Sequence, residues 1–247
     1  MDLKGKVALV TGASSGIGAA TAKALGAKGC RLAITARRKE RLEEVVASIK
    51  ALGGEAICLP ANVRDEIELL GVFEGIDQHF GTLDIVINNA GLGRVSPIHG
   101  GETEAWREML DVNVLALTIC MRESLARFPE VGGHIVNISS MSGHRIPPKG
   151  SFYGATKFAV KCLTEVTRRE LRDRMSPTRI TAISPGFVDT EFFEVLTGDK
   201  EKAKEVLTVV EKALSPSDIA NAVIYALEAP PHASIHDILL RPTSQLT

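Results

Sequence analysis

The sequence predicts an α/β fold, a doubly wound parallel sheet with helices on both faces, and three observations carry that expectation. Short apolar runs rich in β-branched residues alternate with longer stretches of helical periodicity. The short runs are apolar at successive positions, as strands buried on both faces must be. The first of them passes directly into a glycine-rich turn that opens a helix. With 247 residues and 45% hydrophobic residues, the chain is long enough for one large core. One domain over residues 1–247 is therefore expected.

The elements follow in order. Residues 7–10 form the first strand, and small apolar residues at helical spacing follow over 17–27. A second strand covers 32–35. The stretch 39–52 then places Leu42, Val45, Val46 and Ile49 on one helical face. Strand 56–59, an amphipathic stretch over 67–80 and the apolar run 83–87 continue the alternation. Helical stretches around Trp106 and over 114–128 precede a fifth strand at 134–138, a long helix at 151–174 and a sixth strand at 180–183. Residues 190–212 are charged, helical in pattern and out of sequence with the alternation, which reads as an inserted lid. No repeat, low-complexity stretch or linker composition divides the chain.

Composition excludes several functions. A formal net charge of −1 argues against nucleic-acid binding by phosphate neutralisation. No apolar run reaches the ~18 residues of a membrane span. Cys30, Cys58, Cys120 and Cys162 are far apart and lie in apolar stretches, so buried free thiols are expected. The first six residues contain no apolar signal segment, and a cytoplasmic location is expected. His232 and His236 share an i,i+4 spacing without a neighbouring third ligand, so no metal is predicted.

Between the first strand and first helix stands Thr11-Gly12-Ala13-Ser14-Ser15-Gly16-Ile17-Gly18. Glycines there allow a tight turn and close approach of backbone to a pyrophosphate, and the helix start supplies free N–H groups. Tyr153 and Lys157 are four apart on a helix and share a face, so an ammonium there is expected to lower the phenol's pKa. Ser139 and Ser140 both end the fifth strand, where hydroxyls reach a ligand beyond the sheet. Asn113, between two helical stretches, reads from position alone as a helix cap.

These residues make the chain resemble the short-chain dehydrogenase/reductase superfamily in its single-domain, Rossmann-type form of about 250 residues. The glycine loop at 11–18, Asn88-Asn89-Ala90-Gly91, Tyr153-x-x-x-Lys157 and the loop Pro185-Gly186-Phe187-Val188-Asp189-Thr190 occur in that family's order. The resemblance implies a catalytic set of Asn113, Ser140, Tyr153 and Lys157, and it favours Ser140 over Ser139. It implies a nicotinamide cofactor held by Gly12, Ser14, Ser15, Gly16, Ile17, Gly18, Asn89, Ala90, Gly91, Tyr153, Lys157, Pro185, Gly186, Val188 and Thr190. Asn62-Val63 stands where the family usually has Asp-Val to read the adenine. Lys157 is implied to hold the nicotinamide ribose, and Asn113 to order a water beside it.

The expected activity is interconversion of a carbonyl and a secondary alcohol. The alternative is a non-catalytic sensor or scaffold of the same fold, for which an intact Tyr153 would have no use. The position that binds the ribose diol in NAD sites, twenty after Gly16, is Ala36, and Arg37-Arg38-Lys39 follow. Cations at a helix start oppose its dipole unless an anion is near, so NADP(H) is expected, with Arg37 as main determinant and Arg38 in support. His144, Phe187, Phe192 and Phe193 are candidate substrate-pocket residues, with Phe152 nearby. They favour a fairly apolar ketone, a steroid-like compound or a 3-hydroxy or 3-oxo acid. The resemblance, with apolar helices at 114–128 and 153–166, implies a homo-oligomer, tetramer or dimer.

Overall fold

A computed structural model describes residues 2–146 and 152–246. Among the described residues the sheet has seven strands, all parallel, in the order β3-β2-β1-β4-β5-β6-β7. These are β1 Val7–Thr11, β2 Arg31–Thr35, β3 Glu55–Cys58, β4 Ile85–Asn88, β5 His134–Ile138, β6 Arg179–Pro185 and β7 Asp237–Leu240. Strand order reverses between β1 and β4, which is where open α/β sheets bind ligands.

The strand residues divide between two helical layers with period two. Ala8, Val10, Leu32, Ile34, Ile85 and Ile87 face one layer. It is built from α1 Gly16–Ala27, α2 Lys39–Ala51 and α9 Pro216–Glu228. Val7, Leu9, Ala33 and Val86 face the other, where α3 Glu66–Phe80 buries Leu69, Phe73 and Ile76. Beside α3 lie α5 Leu117–Arg127 and α6 Phe152–Asp173. Burial on both faces is why the strands read as continuous apolar runs.

Three differences from the sequence reading have local causes. Residues flanking Asn113 do not form two separate helices. Helix α4 (Thr103–Leu110) runs through a π-helical stretch, Asp111–Ala116, directly into α5. Both Leu110 and Asp111 keep right-handed helical dihedrals, so Asn113 lies inside a helix rather than capping one. The second difference is β7, a short edge strand of alternating exposure whose Asp-Ile-Leu-Leu pattern carries little periodicity. The third is α9. Its start was marked in the sequence by a capping box, Ser215 with Asp218, and by Pro216 in the first turn.

The region read as a lid holds two short helices, α7 Phe192–Thr197 and α8 Lys200–Leu207. Asp199 caps α8 by accepting hydrogen bonds from the N–H groups of Glu201 and Lys202. Residue 151, where the long helix was expected to begin, lies outside the described residues. Cys30 and Cys120 are buried free thiols, and burial pushes both up to about 12. Cys162 departs from expectation. It lies exposed on the outer side of α6.

Candidate active site

The glycine loop fits closely against the loop after β4. Gly12 has a φ of +65°, and a Cβ there would lie 2.8 Å from the Ala90 Cα. A Cβ on Gly18 would lie 2.4 Å from the Gly12 carbonyl oxygen and 2.5 Å from Asn89 Nδ2. Asn89 explains that closeness, because its Nδ2 donates to the carbonyls of Thr11 at 2.9 Å and Gly12 at 3.2 Å. Thr11 Oγ1 accepts from the N–H groups of Asn89 and Ala90, both at 3.0 Å. The Asn89 side chain therefore fastens the two loops together. Helix α1 begins at Gly16 with no capping bond from the Ser15 side chain and no acidic residue in its first turn. Its N–H groups and dipole suit a pyrophosphate, and the donors present fit a dinucleotide.

The other end of the cleft is built by β5 and α6. Ser140 starts a short 3₁₀ turn, Met141–Gly143, and its Oγ accepts from the Ser142 N–H at 3.1 Å. Its hydroxyl lies near enough to the Tyr153 phenol to pull that group's pKa downward. Ser139, the rival, is buried, and its Oγ donates to the Lys157 carbonyl at 3.3 Å. Geometry thus places Ser140, and not Ser139, beside Tyr153. Lys157 is buried and its Nζ donates to the Ile138 carbonyl at 2.9 Å. Asn113 is also buried. Its Oδ1 accepts from the Leu92 N–H, and its Nδ2 donates to the Leu92 carbonyl and to Thr156 Oγ1. A Cβ on Gly91 would stand 3.4 Å from Asn113 Oδ1 and 3.6 Å from Lys157 Nζ, so Gly91 faces both.

The expected electrostatics are reversed for Tyr153. Burial pushes its phenol above the ordinary value, against the smaller pull of the Ser140 hydroxyl. The Lys157 ammonium stands 5.7 Å from the ring centroid and is itself held down to about 8 by burial. Tyr153 is a neutral phenol at pH 7. That suits it to give a proton rather than to take one.

Two further expectations are corrected. Arg38, and not Arg37, reaches the glycine loop. From its place as N-cap of α2, Arg38 Nη2 donates to Ser15 Oγ at 2.8 Å and Ser14 Oγ at 3.0 Å, although both Arg37 and Arg38 are exposed. His144 does not present its ring to the cleft. Its Nε2 meets Ser184 Oγ at 2.9 Å and its Nδ1 meets Lys161 Nζ at 2.9 Å, with Asp237 closing the group. Burial and Lys161 hold its pKa down against the opposing pull of Asp237. With both nitrogens engaged, it supports the wall behind the site.

The remaining residues sort by position. Asn62 turns into its own loop, Oδ1 accepting from the Arg64 N–H, while Val63 lines a small cavity with Ala90 and Val112. Ile17 packs on the core. Thr190 faces the glycine loop, since a Cβ on Gly16 would lie 3.1 Å from its Cγ2. Pro185 ends β6, Gly186 abuts Gln245, and Val188 is buried in a bridge to Leu214. Phe192 reaches Tyr153, with ring centroids 5.3 Å apart, and Phe193 is buried between Phe192 and Phe187. Phe152 stacks toward Trp106 instead.

A cavity of about 380 Å³ opens between the loop after β4 and α7, lined by Val95, Pro97, Ala105, Val195 and Leu196 among others. Ser140 and Tyr153 do not line it. Among the described residues no helix is long and apolar enough to cross a membrane, and no group of His, Cys, Asp or Glu is placed to hold a metal. His232 and His236 lie in a turn and an extended segment, so they share no helical face. The sequence missed Gly143, where a Cβ would lie 2.7 Å from the Lys157 carbonyl, as well as Thr156 and the Ile138 carbonyl. Only contact geometry reveals these.

The profile of the family described as short chain dehydrogenase matches residues 6–201. A Bos taurus protein named dehydrogenase/reductase SDR family member 11 is 46% identical over 250 residues, covering 98% of each chain. The Aedes aegypti farnesol dehydrogenase is 35% identical over 98% of this chain and 97% of its own. Among solved structures, the closed form of a serine dehydrogenase complexed with NADP+ superposes with a TM-score of 0.90 at 32% identity. It covers 98% of this chain and 96% of that one.

Burial of Lys157 predicts a pH signature in stability. Its folded pKa of about 8 lies below the ordinary 10.5, so the unfolded chain holds more protons between those values and stability rises with pH across that window. At about 1.4 kcal/mol per unit, the gain is about 3 kcal/mol. Urea unfolding should show wild type gaining about that much over Lys157→Met from pH 7.5 to 10.5. Parallel curves for the two proteins would contradict a desolvated ammonium.

Proposed function

The chain belongs to the short-chain dehydrogenase/reductase family, and from that premise we propose that it transfers a hydride between NADP(H) and a carbonyl or secondary-alcohol carbon. The observation that carries this reading is the meeting of Ser140, Tyr153 and buried Lys157 at the same carboxyl ends of the strands as the glycine loop. When bound, the nicotinamide supplies the hydride.

The residues of the chain do the rest. The Tyr153 phenol gives its proton to the developing alkoxide oxygen, and the Ser140 hydroxyl donates a hydrogen bond to that same oxygen, stabilising its charge. Lys157, anchored through the Ile138 carbonyl, stands at Gly91, where the ribose end of the cofactor would meet a cation. Asn113 fixes the Leu92 backbone and thereby the wall opposite Tyr153. Thr190 and the first turn of α1 would hold the cofactor's polar middle.

Cofactor choice follows from the α2 N-terminus. Arg38 spans the two loop hydroxyls, a donor set of guanidinium plus serines that suits a 2′-phosphate. The substrate is apolar near its reacting carbon, because Phe192 lies against Tyr153. A relative named for farnesol supports that. Helices α7 and α8 form a lid whose Val195 carbonyl accepts from Arg94 Nη1 at 2.9 Å across the cavity. We also infer a homo-oligomer, with α5 and α6 at the contact.

Three substitutions test the assignment. Tyr153→Phe removes the transferable proton and should lower turnover by about 10²–10⁴-fold, with NADPH affinity by fluorescence titration within about twofold of wild type. Retention of a tenth of the activity would refute the role. Arg38→Ala removes charge-assisted bonds worth about 1.5–3 kcal/mol and should raise the Kd for NADPH by about 10- to 150-fold while sparing NADH. Arg37→Ala should change either affinity by less than about threefold.

A further inference from the structure

Glu191 stands at the mouth of the cofactor cleft and holds the cations assigned above to the 2′-phosphate. Its Oε2 accepts from Arg38 Nη1 at 2.8 Å, and its Oε1 accepts from Arg41 Nη1. The same Arg38 guanidinium bridges Ser14 and Ser15. One carboxylate thus joins the start of α7 to the start of α2 and, through Arg38, to the glycine loop.

The cluster also answers an electrostatic question raised by the sequence. A run of three cations at a helix N-terminus asks for a nearby anion. Here the protein supplies one. Arg38 and then Arg41 hold the Glu191 carboxyl below the usual carboxylate range, against the effect of burial, so it is ionised at neutral pH. Arriving phosphate therefore meets a guanidinium already paired with a carboxylate. Two anions of this kind repel, and Arg38 cannot present the same N–H groups to both.

Resting on the NADP(H) reading, we propose that Glu191 is a resident competitor for the 2′-phosphate and sets how strongly the enzyme prefers NADPH over NADH. The carboxylate must release Arg38 when a 2′-phosphorylated cofactor binds and need not do so for NADH. Glu191 therefore weakens binding of the phosphorylated cofactor selectively. Its position next to Thr190 and at the head of α7 makes the exchange local to the lid hinge.

The competing contacts are partly exposed, with Arg38, Arg41 and Glu191 side chains each about two-fifths accessible. Exposed ion pairs each shift an equilibrium by up to about fivefold. Replacing Glu191 should therefore tighten phosphate binding modestly, and salt should narrow the difference.

Calorimetric titration of wild type, Glu191→Gln, Arg38→Ala and the double variant with NADPH, NADH and adenosine 2′,5′-bisphosphate tests this without turnover. Glu191→Gln should tighten NADPH and the bisphosphate by about three- to tenfold and leave NADH within twofold. In the Arg38→Ala background the same change should tighten neither by more than about twofold. Wild type preferring NADPH, with Glu191→Gln leaving its affinity unchanged or weaker, would overturn the competitor alone. Tightening of NADH by the same factor would do likewise. Equal wild-type affinity for NADPH and NADH would overturn the NADP(H) reading, and the competitor with it.

Discussion

The close approach of α6 to the end of β5 is the constraint on which the site depends. Lys157 Nζ donates to the Ile138 carbonyl, the Lys157 carbonyl accepts from Ser139 Oγ, and Gly143 leaves no space for a side chain between them. These contacts bury an ammonium group, and burial holds its pKa down to about 8. Such a group persists only because the surrounding fold is stable enough to bear its cost. The same contacts fix Ser140 two residues past the strand and Tyr153 one helical turn before Lys157. Loosening this junction would move both hydroxyls at once.

The opposite wall is secured by polar side chains acting on backbone. Asn89 ties the β4 loop to the glycine loop, and Asn113 ties the next residues to the π-helical stretch and α6. Asn113 reaches Leu92 from within a π-helical stretch. That stretch places its carboxamide inward, where a side chain so far from the loop in sequence meets it. Below these loops, Asn88 donates to Asn137, which donates to Thr164, so a buried polar ladder crosses the sheet beneath the site. The ladder links β4, β5 and α6, while the buried Asn88 Oδ1 has no hydrogen-bond partner among the described residues.

The strands of the inner sheet were legible because burial on both faces leaves an apolar run that periodicity detects. Strand β7 was not, since half of it is exposed at an edge and its four residues carry no pattern of their own. Candidate site residues carried by short motifs, such as Gly12, Ser140, Tyr153 and Lys157, stand out in the sequence by spacing and resemblance. Arg37 and Arg38 show the limit of that reading. Arg38 donates to the loop hydroxyls of Ser14 and Ser15, contacts 24 and 23 residues apart that spacing alone does not mark. Glu191 was invisible for a related reason, because its partners are 150 and 153 residues away in sequence. The direction of the Tyr153 shift was missed too. Sequence spacing records a neighbouring charge but not the burial that outweighs it.

Hydride transfer is the central claim, and isotope tracing tests it most directly. NADPH carrying deuterium on one face of nicotinamide C4 would be incubated with the enzyme and a panel of apolar ketones, and the alcohols analysed by mass spectrometry. The geometry of Ser140, Tyr153 and Lys157 predicts one deuterium at the carbinol carbon from one labelled face only, with no label entering that carbon from deuterated solvent. Product labelled from solvent at that carbon, or no alcohol from any ketone under conditions where NADPH binds, would contradict it.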